Sequence, residues 1–347
     1  MKKIYFDHSA TTPVDEKVIE VMIHFLREGY GNASSFESDN MAILGAAREL
    51  SVKGKHIITS QLEHHAVLHT CQQLEKEGFK ITYIKPDQFG MIQPQDVAKA
   101  ITNETILISI MHANNEVGTI NPINEIGEIA QEKKVLFHTD AVQSFGKLPI
   151  NLAKFPVDML TMSGHKIYGP KGTGILYVRQ GIKLKQVLFG GAHEKNRRPG
   201  TENIPGIIGL AKAVEICSKS AAEEDKIKAL RDKFYQNIIN KIPRVRLNGH
   251  PENRLAGLLN LTFEGIEGEA LLLSLDLKGV AASSGSACTS GAVEPSHVLL
   301  SMGVKPEFAQ SSIRFSLGRS NTMEDVEYTS EILVEIVERL RQMSPFG

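Results

Sequence analysis

Cysteine is scarce in this chain: three in 347 residues, Cys71, Cys217 and Cys288, with no CxxC pair. So sparse and odd a set argues against a disulfide framework, fits a reducing compartment and leaves little for a cysteine-based zinc site. No metal is expected. Basic charge is not in excess either, with 39 Lys and Arg against 40 Asp and Glu for a net charge of −1. That balance excludes the electrostatic footprint of a nucleic-acid or anionic-membrane binder. No apolar run reaches membrane-spanning length. The start, Met1-Lys2-Lys3-Ile4-Tyr5-Phe6-Asp7-His8, lacks the apolar stretch of a signal peptide. Internal repeats and low-complexity tracts are absent. The expectation is a cytoplasmic protein. Its 41% hydrophobic and 23% charged residues suffice for a real core, and the length suits two domains or one large one with an appendage.

Apolar runs alternate with amphipathic stretches through the first two thirds. The pattern predicts strands over 56–59, 81–84, 105–111, 135–138, 159–162 and 174–178. Helices are predicted over 39–50, 66–77, 93–101 and 122–133. Such alternation reads as an α/β domain with a largely parallel sheet. From 207 to 242 the pattern is helical and charged until Pro243 stops it, which predicts a long helix bridging two domains. Strands over 255–263, 280–283 and 312–317, with helices over 267–275 and 323–343, then make an α+β unit. The expected division is a large domain over 14–223 and a smaller one over 1–13 with 224–347.

In open α/β sheets, ligands lie at the carboxyl ends of strands. Asp140 and Gln143 follow one predicted strand, and Lys166 follows another within Ser163-Gly164-His165-Lys166. His64 and His65 follow a third, and Asn114, Asn115 and Glu116 a fourth. An aspartate and a lysine on neighbouring strand ends suggest pyridoxal phosphate (PLP). Its aldehyde needs a lysine amine, and its ring nitrogen needs a carboxylate to stay protonated. Ser163 and His165 could donate to the phosphate, Gln143 could bond the ring hydroxyl and His64 could stack on the ring. Each also has a plainer reading: a solvated lysine, a helix-capping aspartate, a satisfied histidine. Cys288 lies in Ser283-Ser284-Gly285-Ser286-Ala287-Cys288-Thr289-Ser290-Gly291. No large side chain is there to bury the sulfur, which suits a thiol that must reach, react and withdraw.

These residues sit in a series of linked strings. They include Tyr5-Phe6-Asp7-His8-Ser9-Ala10-Thr11-Thr12-Pro13, Glu63-His64-His65-Ala66-Val67 and Asn114-Asn115-Glu116-Val117-Gly118-Thr119. Further along come His138-Thr139-Asp140-Ala141-Val142-Gln143-Ser144, the turn over 163–172, Arg198-Pro199-Gly200-Thr201, the Cys288 stretch and Ile313-Arg314-Phe315-Ser316-Leu317-Gly318-Arg319. In that order, over nearly the whole length, the chain resembles the cysteine desulfurases of the NifS/IscS group. The resemblance implies the PLP-dependent transferase fold of type I, with a mixed, mostly parallel sheet. It also implies the conversion of L-cysteine to L-alanine, with the sulfur carried as a persulfide on Cys288 to an acceptor such as an iron–sulfur scaffold.

By the same resemblance Lys166 would bind the cofactor aldehyde and serve as base. Asp140 would pair with the ring nitrogen, Gln143 with the ring hydroxyl, and His64 would stack on the ring. Ser163 and His165 would hold the phosphate with Thr201 of a partner subunit, which implies a homodimer. Asn115, at the edge of the cofactor, and Arg314 would hold the substrate carboxylate, which a planar guanidinium grips with two parallel bonds. The Ser-Ala-Cys-Thr-Ser-Gly context is similar to the desulfurases with a long loop and not to the relatives that favour selenocysteine.

One string departs from the family. Gly31-Asn32-Ala33-Ser34-Ser35-Phe36 runs straight into Glu37-Ser38-Asp39-Asn40. A helix, a strand and a Gly-Thr turn are missing between them, and that turn opens a helix whose free N–H groups grip the phosphate. Three readings stand: the segment is deleted or omitted, Ser34 and Ser35 replace it as an anion site, or the chain holds PLP poorly. The last would make it a non-catalytic scaffold. A selenocysteine lyase is a further alternative.

Overall fold

The computed structural model describes residues 3–28, 38–218, 221–284 and 294–343. Strand β1 (Ile4–Tyr5) precedes helices α1 (Glu16–Glu28) and α2 (Ser38–Leu50). Strands and helices then alternate as β2 (His56–Ser60), α3 (His65–Lys76), β3 (Lys80–Ile84), α4 (Pro94–Ala100), β4 (Thr105–Ser109), α5 (Ile123–Lys133) and β5 (Leu136–Asp140). Strands β6 (Met159–Ser163) and β7 (Gly174–Val178) follow, then α6 (Ile204–Cys217), α7 (Ala221–Lys241), β8 (Val245–Asn248) and β9 (Leu258–Phe263). The chain ends with α8 (Gly268–Leu277), β10 (Val280–Ala281), β11 (Ser283–Ser284), α9 (His297–Ser301), α10 (Pro306–Gln310), β12 (Ser312–Ser316) and α11 (Met323–Met343).

Six strands form one sheet in the order β3-β2-β4-β5-β6-β7, parallel except for β7 against β6. Every residue of β2 and β4 is buried, as parallel strands covered on both faces require. Neighbouring side chains serve opposite faces. Ile57 and Leu107 join Ala42, Ile43, Ala46 and Ala47 of α2, while Ile58 and Ile108 join Ile123 and Ile126 of α5. The turns after β2, β4, β5 and β6 therefore open on one edge of the sheet, where the candidate residues lie.

An antiparallel sheet, β11-β12-β9-β8, packs against α7, α8 and α11. Its centre is a ladder of three rings, Phe6, Phe234 and Phe315. Their centroids are 5.4 and 5.1 Å apart and the rings meet edge to face. From this ladder the N-terminal segment runs as a strap toward the parallel sheet. β1 pairs with β10, and Asp7 bridges to Ser316. Ser9 N–H then donates to Ser316 Oγ at 2.9 Å, Thr12 N–H to His165 O at 2.9 Å and Asp15 N–H to Tyr168 O at 2.9 Å.

Two expectations need correction. The stretch over 207–242 is two helices, α6 and α7, not one. The strand over 280–283 divides, with Val280–Ala281 beside β1 and Ser283–Ser284 beside β12. The chain changes sheets at Ala282, and two-residue strands have no periodicity to read. Because Phe234 fills the middle of the aromatic ladder, Phe234→Ala is expected to cost about 3–5 kcal/mol. Urea unfolding with an unchanged m-value checks this; a loss below about 1 kcal/mol would show that the ladder does not hold the layer together.

Candidate active site

Lys166 ends a short 3-10 turn directly after β6. Its Nζ donates to the carbonyls of Ser9 at 2.6 Å and Ala10 at 2.7 Å. Gln143 Nε2 donates to the same Ser9 carbonyl at 3.0 Å, so the strap joins lysine and glutamine. Gln143 Oε1 is buried without a partner among the described residues. Asp140 closes β5, and its carboxylate accepts the Val142 N–H at 2.8 Å. Burial, then the nearby Asp39 charge, pushes its pKa well above the usual carboxylate range, and the attraction of Lys166 is too weak to reverse this. An acid held this way is suited to a cationic N–H partner.

His64 caps α3, with Nδ1 accepting the Ala66 N–H at 3.2 Å, which leaves Nε2 as the protonated nitrogen. Burial, and next the Lys166 charge, lowers its pKa to about 4. His165 is lowered to about 4 by burial and then by Lys166 and Lys171, and its Nδ1 lies 3.1 Å from Thr11 Oγ1. Ser163 is the half-buried last residue of β6. On the strap's other side, Arg314 Nη1 donates to the Asn115 carbonyl at 3.1 Å. The Arg314 Nε is a buried donor without a partner among the described residues.

The structure thus brings together Lys166, Asp140, Gln143, His64 and His165, with Arg314 and Asn115 joined across the strap. Thr201 lies exposed in the loop ahead of α6. Cys288, Ser34, Ser35 and the junction at 36–37 lie outside the described residues. The residues present fit PLP. A buried carboxyl would meet a ring N–H, an amide oxygen without a partner among the described residues stands near the lysine amine, and a neutral imidazole lies within electrostatic reach of that amine.

Several residues here carried no role in the sequence. Thr12 Oγ1 donates to His165 O at 2.9 Å and accepts the Tyr168 N–H at 2.7 Å. Tyr168 holds a left-handed φ of 62°, a conformation that costs energy and needs support. Arg319 supports it: its backbone N–H donates to Tyr168 Oη at 2.8 Å and its guanidinium lies 4.3 Å over the ring. Glu223 and Asp15, at 2.7 and 3.7 Å, fix the same guanidinium. The strap passes so close that a Cβ on Gly318 would overlap the His8 imidazole. These contacts span most of the chain, and the only signal for them was the quoted strings themselves.

The family model described as Aminotransferase class-V matches residues 34–329. A protein named cysteine desulfurase IscS from Methanosarcina thermophila is 49% identical, covering 99% of this chain and 94% of its own. That alignment spans 381 positions, 34 more than the 347 residues here, so the relative carries residues with no counterpart in this chain. One of the same name from Dictyoglomus turgidum is 46% identical, covering 99% of this chain and 97% of its own. Among solved structures, a NifS-like protein has a TM-score of 0.90 at 35% identity, covering 98% of this chain and all of its own. The structure titled SspA in complex with cysteine has a TM-score of 0.79 at 35% identity, covering 92% of this chain and 100% of its own.

Glu63, buried beside this cluster, accepts the Ser60 hydroxyl at 2.6 Å and the Met111 N–H at 3.0 Å. Burial raises its pKa from 4.5 to about 8. The folded state then binds the proton more tightly than the unfolded chain, so this group costs stability progressively as pH rises from about 4.5 to 8. Glu63→Gln removes the titration. Its stability relative to the native protein is expected to improve steadily between pH 5 and pH 9 in urea unfolding. A difference independent of pH would show that Glu63 is ionised in the fold.

Proposed function

The chain belongs to the aminotransferase class-V family and is a cysteine desulfurase, and we propose that the residues around Lys166 hold PLP and perform the reaction as follows. The observation that supports this is the pair of Lys166 and Gln143 on one carbonyl, with the Asp140 carboxyl buried beside them and its pKa raised by that burial. When bound, PLP supplies an electron sink for the charge that develops at the amino acid's Cα. Lys166 would hold the cofactor aldehyde, and its amine is the base that takes the substrate's Cα proton. The Ser9 and Ala10 carbonyls receive its ammonium. Asp140 keeps the ring nitrogen protonated and Gln143 bonds the ring hydroxyl. His64, uncharged above a pH of about 4, packs on the ring and passes a proton between sulfur atoms.

Ser163 and His165 take the phosphate, with Thr201 reaching in from a partner subunit, so the working form is a homodimer. Arg314 and Asn115 hold the substrate carboxylate. The Cys288 thiolate attacks the substrate sulfur. An S–S bond forms as the Cβ–S bond breaks, and the electron pair of that bond stays on the substrate carbon, which gains a proton and leaves as alanine. Cys288 keeps a persulfide for an acceptor protein, of which an iron–sulfur scaffold is the proposed kind. Among the described residues no helix is long and apolar enough to cross a membrane; the proposed location is the cytoplasm.

Lys166→Ala is expected to abolish the visible absorbance of the cofactor-loaded protein and the cofactor that borohydride fixes covalently. Retention of both would remove the lysine from its role. Cys288→Ala is expected to keep the colour and lose sulfide release from L-cysteine with a thiol reductant. Undiminished release would assign sulfur capture elsewhere.

A further inference from the structure

Asp7 sits where the strap meets the antiparallel sheet, and its two oxygens are used on different partners. One receives Arg314 Nη2 at 3.0 Å; the other accepts the Ser283 hydroxyl at 2.6 Å. The ion pair is nearly dry, with the Arg314 side chain 4% and the Asp7 side chain 14% exposed. Ser283 and Arg314 are themselves direct partners across β11 and β12. With Nη1 on the Asn115 carbonyl and Nη2 on Asp7, the guanidinium cannot turn, and its Nε is the donor without a partner among the described residues. The other acid that faces it, Glu116, is engaged with the Ser296 hydroxyl.

We propose that Asp7 is a positioning residue: it fixes the plane of Arg314 so that the Nε edge meets the substrate carboxylate, and Ser283 holds Asp7 in turn. This rests on Arg314 being the carboxylate-binding residue. Charge and orientation here have opposite signs. An anion beside Arg314 weakens its pull on a second anion, so loss of the Asp7 charge alone strengthens substrate binding. Loss of orientation weakens it.

Isothermal titration of the PLP-loaded protein with L-alanine, and with ethylamine as the analogue lacking the carboxylate, separates these effects. Asp7→Ala is expected to bind L-alanine about tenfold more weakly, the scale of one lost charged hydrogen bond, with ethylamine unchanged. Asp7→Asn keeps an acceptor for Nη2 and a donor toward Ser283 without the charge, and is expected to bind L-alanine at least as tightly as the native protein. Equal or tighter binding by Asp7→Ala overturns the proposal, as does a parallel loss of ethylamine. Should Asp7→Ala not fold, Ser283→Ala replaces it: weaker L-alanine with ethylamine unchanged supports the proposal, and unchanged L-alanine overturns it. Arg314→Gln tests the premise. If it leaves L-alanine binding intact, the reading of Arg314 fails and Asp7 with it. If it loses L-alanine while Asp7→Ala does not, only the Asp7 inference fails.

Discussion

The site depends on the strap between the two sheets, and above all on the two carbonyls it offers to Lys166. Two backbone carbonyls fix the end of its long, flexible side chain. Ser9 O and Ala10 O do so, because β1 and the Asp7–Ser316 bridge anchor the strap on the antiparallel sheet. Thr12 and Tyr168 then tie the strap to the backbone of the lysine turn. The amine is placed by residues about 157 positions away in sequence, and Arg314, on the other sheet, is pinned by the same segment. One stretch of backbone therefore sets the relation between the lysine that moves protons and the arginine that takes the carboxylate.

Desolvation, more than any charge pair, sets the electrostatics around this strap. Burial is the largest influence on Asp140, Glu63, Glu116, His64, His138 and His165 alike. It raises the acids and lowers the imidazoles, so the resting cluster avoids charge. Lys166 favours an ionised Asp140 and still does not prevail. A ring cation placed directly against that carboxylate is a nearer partner, and the cost of burying the acid's charge falls once the two are paired. A site built this way is poised for a cationic aromatic ligand and poorly suited to holding carboxylates bare.

Much of this was legible in the chain. The strand at 174–178 and the helix at 323–343 match residue for residue, the latter because Thr322 and Asp325 exchange capping bonds at its start. Asp140, Gln143 and Lys166 were readable because strand ends mark where a ligand lies. Asp7, Thr12, Tyr168 and Arg319 were not. Their partners lie across sheets, and sequence spacing carries no trace of a contact that the fold alone creates. The left-handed Tyr168 is the clearest case, since no local rule predicts a tyrosine there.

The shortening between 36 and 37 can now be weighed against particular contacts. The groups that hold Lys166, Gln143 and Arg314 come from the strap, from β5, β6 and β12, and from the turn after β4, all of them outside 29–37. Asp39 lies close behind the junction in sequence. It stands in the first turn of α2, accepts the Thr161 hydroxyl at 2.5 Å and lies 3.6 Å from His138 Nε2. Thr161 pairs directly with Asp140 across β5 and β6. Asp39 thus links the start of α2 to Thr161, the strand partner of Asp140, and its repulsion helps to raise that aspartate's pKa. The lysine, the amide and the guanidinium stand on the other side of the strap's hydrogen bonds, and the chemistry they carry is set there.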